Sequence, residues 1–511
     1  MPADIQPPHV QLLKYSKPNA AGHPVSFPRG IERLLLAVTL IFSPAVAFAQ
    51  DVTTVLAQAS RAMGADNLKT IRYTSTGAEY VLGQNATPGG PWPQYNFDWM
   101  ISAFNYESGT ASEELGNRTR ADNPPRGGGQ PSIGRGITYV TDRFVWTQIG
   151  PRSISRPWNV DDRNHQTWIT PHGVIKAALR NKATLKWQTR NGQRLAAVSF
   201  TEPGKFSATA FIDKKGLVER VESRAAIPFY GELPFVTTYA DYEDYAGVKF
   251  PSRIRRTQNG FPILDLTVTK VEPNVAVDVR PPDALINAAA YPEPTAVKVA
   301  DGVWSIPGAT NCYAIEMKDY IIVVESPLTN EIATSVFDAA RRAIPGKPIR
   351  YVVNTHHHID HSGGLRAAAL EGATIITYVS NKRIFEGYFA SARRLAPDKL
   401  TKSGKKAKLM AVGDKYVFSD GSRNVELHLL RGNRHADDLL MLYLPKEKLL
   451  IEADALSPGP PDAPLPAEPD VFSVNLVENI ERLKLSVDRI LPLHGRIVPL
   501  SELYRAVKRS S

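Results

Sequence analysis

In the run Val353-Asn354-Thr355-His356-His357-His358-Ile359-Asp360-His361-Ser362-Gly363-Gly364, four imidazoles and one carboxylate crowd into six residues. A packed core does not absorb such a cluster for its own sake. Adjacent imidazoles lose hydration on burial and repel one another once protonated. Neutral imidazole nitrogen and carboxylate oxygen are, however, the ligands that suit zinc and similar borderline metals. The run follows an apolar stretch at 349–353 that reads as a strand. Taken as H-x-H-x-D-H at a strand tip, it offers His356 and His358 to one ion, while Asp360 and His361, past the turn, can serve a second. The chain must fold so that strand-end loops face a metal, and a metalloenzyme is the expectation.

About three or four ligands per ion are needed, so the run alone is incomplete. The remaining candidates each follow an apolar segment. The strand expected at 425–430 leads into a loop carrying His435, followed by Asp437 and Asp438. Another at 449–451 ends in Glu452-Ala453-Asp454, and 490–493 leads to His494-Gly495. Five of the eleven histidines thereby sit just after strands, where loop-borne catalytic residues belong. One of Asp437 and Asp438 can hold a ligand imidazole through its other N–H. His357 is expected to support the site or face solvent. His428, inside a strand, reads as structural, and His165 and His172 as ordinary residues of the first half. Glu426 and Glu452 read as solvated or structural, and Cys312, the only cysteine, as a small buried core residue.

Assembled in this way, the sequence over about residues 297–505 is similar to the metallo-β-lactamase-fold hydrolases. The motifs that carry the resemblance are T-H-x-H-x-D-H-S-G-G, the later loop histidine with its D-D pair, the strand-end aspartate and the final L-x-H-G. The resemblance implies a four-layer αβ/βα sandwich with metals at one edge. It implies His356, His358 and His435 on a first metal, Asp360, His361 and His494 on a second, and Asp454 bridging both. Asp438 is the favoured supporting carboxylate. Asp454 is what lactonase-like, glyoxalase-II-like and phosphodiesterase-like members carry, where true β-lactamases have Cys or Ser. His358 in place of Glu argues against the flavin-partnered di-iron proteins. The usual D-T-G reads Glu325-Ser326-Pro327 here, which alters support around the ligands rather than the ligands themselves.

A chain of 511 residues is too long for one ordinary core. Residues 1–49 read as a signal peptide with an over-long start: an apolar run behind Arg29 and Arg33 ends in Ala47-Phe48-Ala49, an A-x-A cleavage pattern. The apolar run contains Pro44 and is shorter than the roughly 20 residues a spanning helix needs. Residues 50–290 are expected to form an α+β accessory domain on a curved antiparallel sheet. A hairpin is signalled by Asn191-Gly192, which supplies the positive φ angles of a type I′ turn. A helix from Pro171 is signalled by Thr170 as its cap. The helix, the meander and the run from Tyr239 to Pro251 faintly resemble lipoprotein-carrier half-barrels, which would imply an apolar concave face. Two Gly/Pro-rich stretches, 83–93 and 123–136, read as surface loops that could cover a ligand site, with the solvated-loop reading favoured. A linker at 291–296 precedes α/β layering over 297–511.

The expected function is that of an exported, periplasmic or extracellular, binuclear hydrolase. Two zinc ions about 3.5–4 Å apart would share a hydroxide, oriented by the catalytic Asp360, for attack on an ester, lactone, thioester or amide, a β-lactam included. The alternatives are an iron-dependent persulfide dioxygenase of the same fold and an envelope lipid-binding protein with a structural metal. The partner is expected to be a small-molecule substrate, with no stable membrane insertion once the leader is removed. The net charge of +10 is spread along the chain without a basic stripe, so no nucleic acid is expected. A Pro-rich stretch at 457–469 should rim the site. Phe385, Tyr388 and Phe389, in a helical segment at 381–395, with Arg393 and Arg394, could form another wall, and core packing of that helix explains the aromatics equally well.

Overall fold

The computed structural model describes residues 51–128, 136–465 and 467–509; the leader and its cleavage motif lie outside them. Asp51 caps the helix Val52–Met63 by accepting from the Thr54 N–H. Fourteen strands between Thr70 and Pro273 then form one antiparallel sheet. Its first strand, Thr70–Tyr80, pairs with both Gln94–Asn105 and the last strand, Phe261–Pro273, so the two ends of the segment lie side by side. The Asn191-Gly192 hairpin forms as the sequence predicts, with φ of 48° and 76° and Arg190 opposite Gln193. Thr170 accepts from the Gly173 N–H and starts the helix Pro171–Arg180.

The sheet is curved. Helix Val160–Trp168 touches both Ile137–Val140 and Val218–Ile227, which stand seven places apart in the strand order. Laid flat, those strands would be about 34 Å from each other, whereas a helix is only about 10–12 Å across. The sheet therefore curls round the helices, and Met63, Ile71, Val174, Phe206, Phe250 and Leu266 fill the space between.

The second half stacks two further sheets. Seven strands from Val297–Ala300 to Lys408–Val412 form one, and six from Lys415–Ser419 to Val498–Pro499 form the other. Side-chain alternation accounts for the layering. Cys312, Ala314, Ile321, Val323, Val352 and Ile375 face Val336 and Phe337 of helix Asn330–Ala343. Their neighbours Tyr313, Ile315, Ile322, Val324, Val353 and Ile376 face Leu427, Leu442 and Leu450 of the second sheet, which helix Val471–Leu483 covers through Leu476, Val477 and Ile480. Helix, sheet, sheet, helix is the four-layer αβ/βα sandwich. Cys312 is fully buried within it.

The two halves share packing. Phe229, in the left-handed region at φ 60°, inserts among Phe385, Tyr388 and Phe389 with ring centroids 5.1, 5.3 and 5.5 Å away. Such a backbone conformation costs a large residue energy, and dense packing around the ring holds it there. Glu232 accepts from the Arg394 and Leu395 N–H groups, and Arg393 donates to the Phe229 carbonyl. Of the two sequence readings, core packing is the one seen for these aromatics: helix Lys382–Ala390 docks the first half onto the second. Among the described residues, no helix is long and apolar enough to cross a membrane.

Candidate metal centre

Every candidate ligand stands where a strand of the sandwich ends. Strand Ile349–Val353 delivers the His356–His361 run, and a short helix, Ile359–Ser362, turns Asp360 and His361 back toward the sheet edge. Strand Asn424–Leu429 leads to His435, Leu449–Glu452 to Asp454, and Arg489–Pro492 to His494. The structure brings the seven together in two groups. His356, His358 and His435 form one; Asp360, His361, Asp454 and His494 form the other, and within each the ligand atoms lie within 4.8 Å of one another.

The distances show how the groups interlock. Nε2 of His356 is 3.3 Å from Nε2 of His435, and Nε2 of His361 is 3.2 Å from Nε2 of His494. Asp454 faces both groups: Oδ2 is 2.9 Å from His361 Nε2 and 3.7 Å from His356 Nε2, and Oδ1 is 3.5 Å from His494 and 3.6 Å from His435. Asp360 Oδ2 lies 3.5 Å from His361 and 3.4 Å from His494. Nitrogen atoms at such separations, buried and converging on one carboxylate, are a donor set for cations.

Protonation follows burial and charge. Burial, reinforced by neighbouring imidazoles, holds His356 and His358 well below the ordinary histidine value, so both are neutral. Burial opposes charge on Asp454 and Asp360 as well, but the imidazoles around them prevail and hold both carboxyls below their ordinary range. At His361 burial is overcome by Asp454 and Asp360, which raise its value. A cation would take the place of that proton.

The tautomer of His358 is fixed by its surroundings. Its Nε2 lies 2.8 Å from the Asn85 carbonyl, which can only accept, so Nε2 carries the hydrogen. Nδ1, buried and without a hydrogen-bond partner, keeps its lone pair. The orphaned nitrogen in a cluster of donors is what a metal ligand should look like, and the residues fit a metal.

Supporting contacts both follow and correct the sequence reading. Glu325, buried and at φ 78°, accepts from the Thr355 N–H at 3.1 Å and approaches His361 Nδ1 at 3.5 Å. Asp438 is fully buried, but the imidazole it holds is His357, through Nδ1 at 2.7 Å and the backbone N–H at 2.9 Å, with Asn381 as a further donor. The expectation that it holds a ligand imidazole is corrected. His357 belongs to neither ligand group, and Asp438 braces the loop through this intervening histidine. Glu452 is structural and not solvated: it accepts from Ala455 and Leu456 N–H at 3.1 and 3.2 Å and so pins the turn on which Asp454 sits at φ 59°. His165 and His172 are packed in the first half's core, bonded to Ser223 and the Met63 carbonyl.

Stretches 83–93 and 123–136 depart most from expectation. Gln84 donates its side-chain amide to Asp360 Oδ1 at 2.8 Å, and Ala86 O accepts from the Asp437 N–H. Gly128 donates to Gln84 O and Gly127 to Arg434 O, beside His435. Arg126 and Thr87 both bond Asp437. Around Asn85, Ala86, Gly127 and Gly128 these stretches are buried roof, as the less favoured sequence reading had it, while Thr87, Gly89, Pro91, Asn123, Pro124 and Arg126 stay exposed. Only their Gly/Pro content hinted at it, since neither a glutamine nor a backbone carbonyl carries a sequence signature of function. The side left open is that of His494 and Asp360, whose side chains are 24% and 26% exposed. Beside it, a cavity of about 420 Å³ reaches His435 and Asp454, walled by Leu456, Pro458, Pro460, Leu465 and Phe472 of the Pro-rich segment and its neighbour, with Arg505 at the edge.

Residues 305–498 match the metallo-beta-lactamase superfamily. A linear primary-alkylsulfatase from Pseudomonas sp. is 32% identical over 76 residues, 14% of this chain and 11% of that protein. The 2,4-dinitroanisole O-demethylase subunit alpha of Nocardioides sp. is 26% identical over 211 residues, 41% of this chain and 60% of that protein. The chain thus spans less than two thirds of either relative. Among solved structures, the DIM-1 metallo-beta-lactamase is 18% identical, covering 42% of this chain and 96% of its own, with a TM-score of 0.33. The sec-alkylsulfatase Pisa1 from Pseudomonas sp. is 19% identical, covering 42% and 40%, with a TM-score of 0.30.

Proposed function

From a second half that belongs, over residues 305–498, to the metallo-β-lactamase superfamily, we propose that this protein is an exported, binuclear zinc hydrolase. Its substrate would be a small molecule whose ester, lactone, thioester or amide bond is flanked by apolar groups. The observation that carries the reading is Asp454, whose two oxygens face both histidine groups at 2.9–3.7 Å. A single structural ion would need only one group. Bound there, zinc would supply Lewis acidity and lower the pKa of water to about 7.

The chain's own residues divide the remaining work. His356, His358 and His435 would hold one ion, Asp360, His361 and His494 the other, and Asp454 both. Asp360 Oδ1 is taken by Gln84, which leaves Oδ2, 3.5 Å from His361 and 3.4 Å from His494, as the oxygen that would serve the second ion. Glu452 keeps Asp454 in its strained turn. The wall of Leu456, prolines and Phe472 would exclude water and seat an apolar substituent. The relatives named as an alkylsulfatase and an O-demethylase extend the substrate panel to alkyl sulfates and aryl methyl ethers.

Metal analysis of protein beginning at Gln50, followed by that panel, tests the proposal. About two zinc per chain with hydrolysis of at least one ester-like class is the expected result. One iron per chain with oxygen uptake on a persulfide would instead select the dioxygenase. Mass determination of the exported protein, expected to start at Gln50, tests the leader.

A further inference from the structure

We propose that the first domain is a working part of the metal centre, with Gln84 as a positioning residue for Asp360 and the Asn85 carbonyl as the group that sets the tautomer of His358. The inference rests on the metal-site reading above and does not depend on which substrate is turned over. Two neighbouring residues of one loop reach into both ligand groups. Gln84 donates to Asp360 Oδ1 at 2.8 Å, which leaves Oδ2 as the oxygen facing His361 and His494. The next residue's carbonyl takes the His358 Nε2 hydrogen at 2.8 Å, which leaves the lone pair on Nδ1. A rotated Asp360 or a flipped His358 would each remove a ligand atom from its group. Outer contacts of this kind fix ring orientation and ligand basicity, and their loss commonly weakens metal binding about 10–100-fold.

The loop is built to stay in place. Gly127 packs so tightly on it that a Cβ there would lie 2.5 Å from Gln84 O and 2.9 Å from Ala86 N, at a φ of +74° that disfavours any side chain. Arg120, its side chain 5% exposed, donates to the Gly127 and Gly128 carbonyls and holds the second loop against the first. The same second loop donates from Gly127 to Arg434 O, one residue before His435. Ligands on two different strand ends are therefore braced from one side by a domain none of whose described residues is among the ligands.

The test uses the protein from Gln50 onward, with Gln84→Ala, Gln84→Glu and Gly127→Ala, and reads metal affinity by chelator competition and the visible spectrum after cobalt substitution. Gln84→Ala should weaken affinity for one ion about tenfold and shift the cobalt bands. Gln84→Glu, which sets a second carboxylate against Asp360, should perturb the bands at least as much. Gly127→Ala, which displaces the loop and its Asn85 carbonyl, should affect the other ion too. Melting temperatures with metal removed separate these effects from misfolding. Cobalt spectra and affinities of both Gln84 variants within twofold of the parent would overturn the proposal. If the parent binds no metal, the metal-site reading fails instead, and the two failures are thus distinct.

Discussion

Both halves of this molecule bury histidines completely, yet they do so in opposite ways. In the first half, His165 lies edge-on to Phe206 and Phe235 at 5.1 and 4.8 Å with one hydrogen bond to Ser223. His172 stacks on Phe250 and bonds the Met63 carbonyl. Each is a lone imidazole in an apolar setting. In the second half His356, His358, His361 and His435 are as deeply buried but face one another and two carboxylates. Burial by itself therefore says nothing about metal. Convergence of lone pairs does, because nitrogen atoms held 3.2–3.3 Å apart need a shared hydrogen or a cation between them, and five imidazoles gathered with two carboxylates suit cations.

Exchanging one histidine from each setting tests that distinction most severely. His358→Ala should reduce metal affinity by more than the roughly 100-fold typical of outer contacts and bring turnover to background. His165→Phe should leave metal content unchanged. Equal metal content in the two variants would dissolve the comparison. The second effect in size concerns the junction between the halves. Phe229→Ala should destabilise the protein by about 3–5 kcal/mol, read by urea unfolding, because a fully buried ring leaves a cavity among three others.

The lone histidines should also give the first half an acid-sensitive stability. Burial pushes His165 down to about 3 and His172 down to about 4. The unfolded chain binds both protons as pH falls through about 6.5, while the folded chain refuses them until pH 3–4. Stability is therefore full above pH 6.5 and drains away below it, by up to about 1.4 kcal/mol per pH unit for each residue. His165→Phe should make the fall shallower between pH 6.5 and 4.5 when unfolding is followed by the first half's tryptophan signal. An unaltered slope would show that this histidine is not the acid sensor. The smallest expected effect is at the roof. Asp437→Ala removes partners of Arg126 and Thr87, and since Arg126 and Asp437 are half exposed it should cost no more than about 1 kcal/mol, less at high salt.

The seven candidate ligands could be read from the chain because each sits directly behind an apolar strand, and strand-end position is a local property. Glu452 was harder: a glutamate two residues before Asp454 looks like any other until its carboxylate is seen receiving the Ala455 and Leu456 N–H groups. A supporting role for Asp438 is legible from its place after His435, but which imidazole it holds is not, since choosing between His357 and its neighbours depends on ring orientation. The Asn191-Gly192 hairpin and the Thr170-capped helix are legible from two or three residues each. The strand order that joins Thr70–Tyr80 to Phe261–Pro273 was not, because pairing across nearly two hundred residues leaves no local trace.

What the sequence determined by itself is thus the candidate donors, through strand-end spacing, and α/β layering in the second half, through local periodicity; the four-layer sandwich follows from the resemblance. Only the tertiary structure decided that the roof over those donors comes from the first half. The contacts responsible are one glutamine amide, one backbone carbonyl and a glycine with no room for a side chain, 276 and 273 residues away from their partners in the first two cases. Backbone groups are common to every residue, so their use at a site is settled by where the chain passes and not by what it is made of.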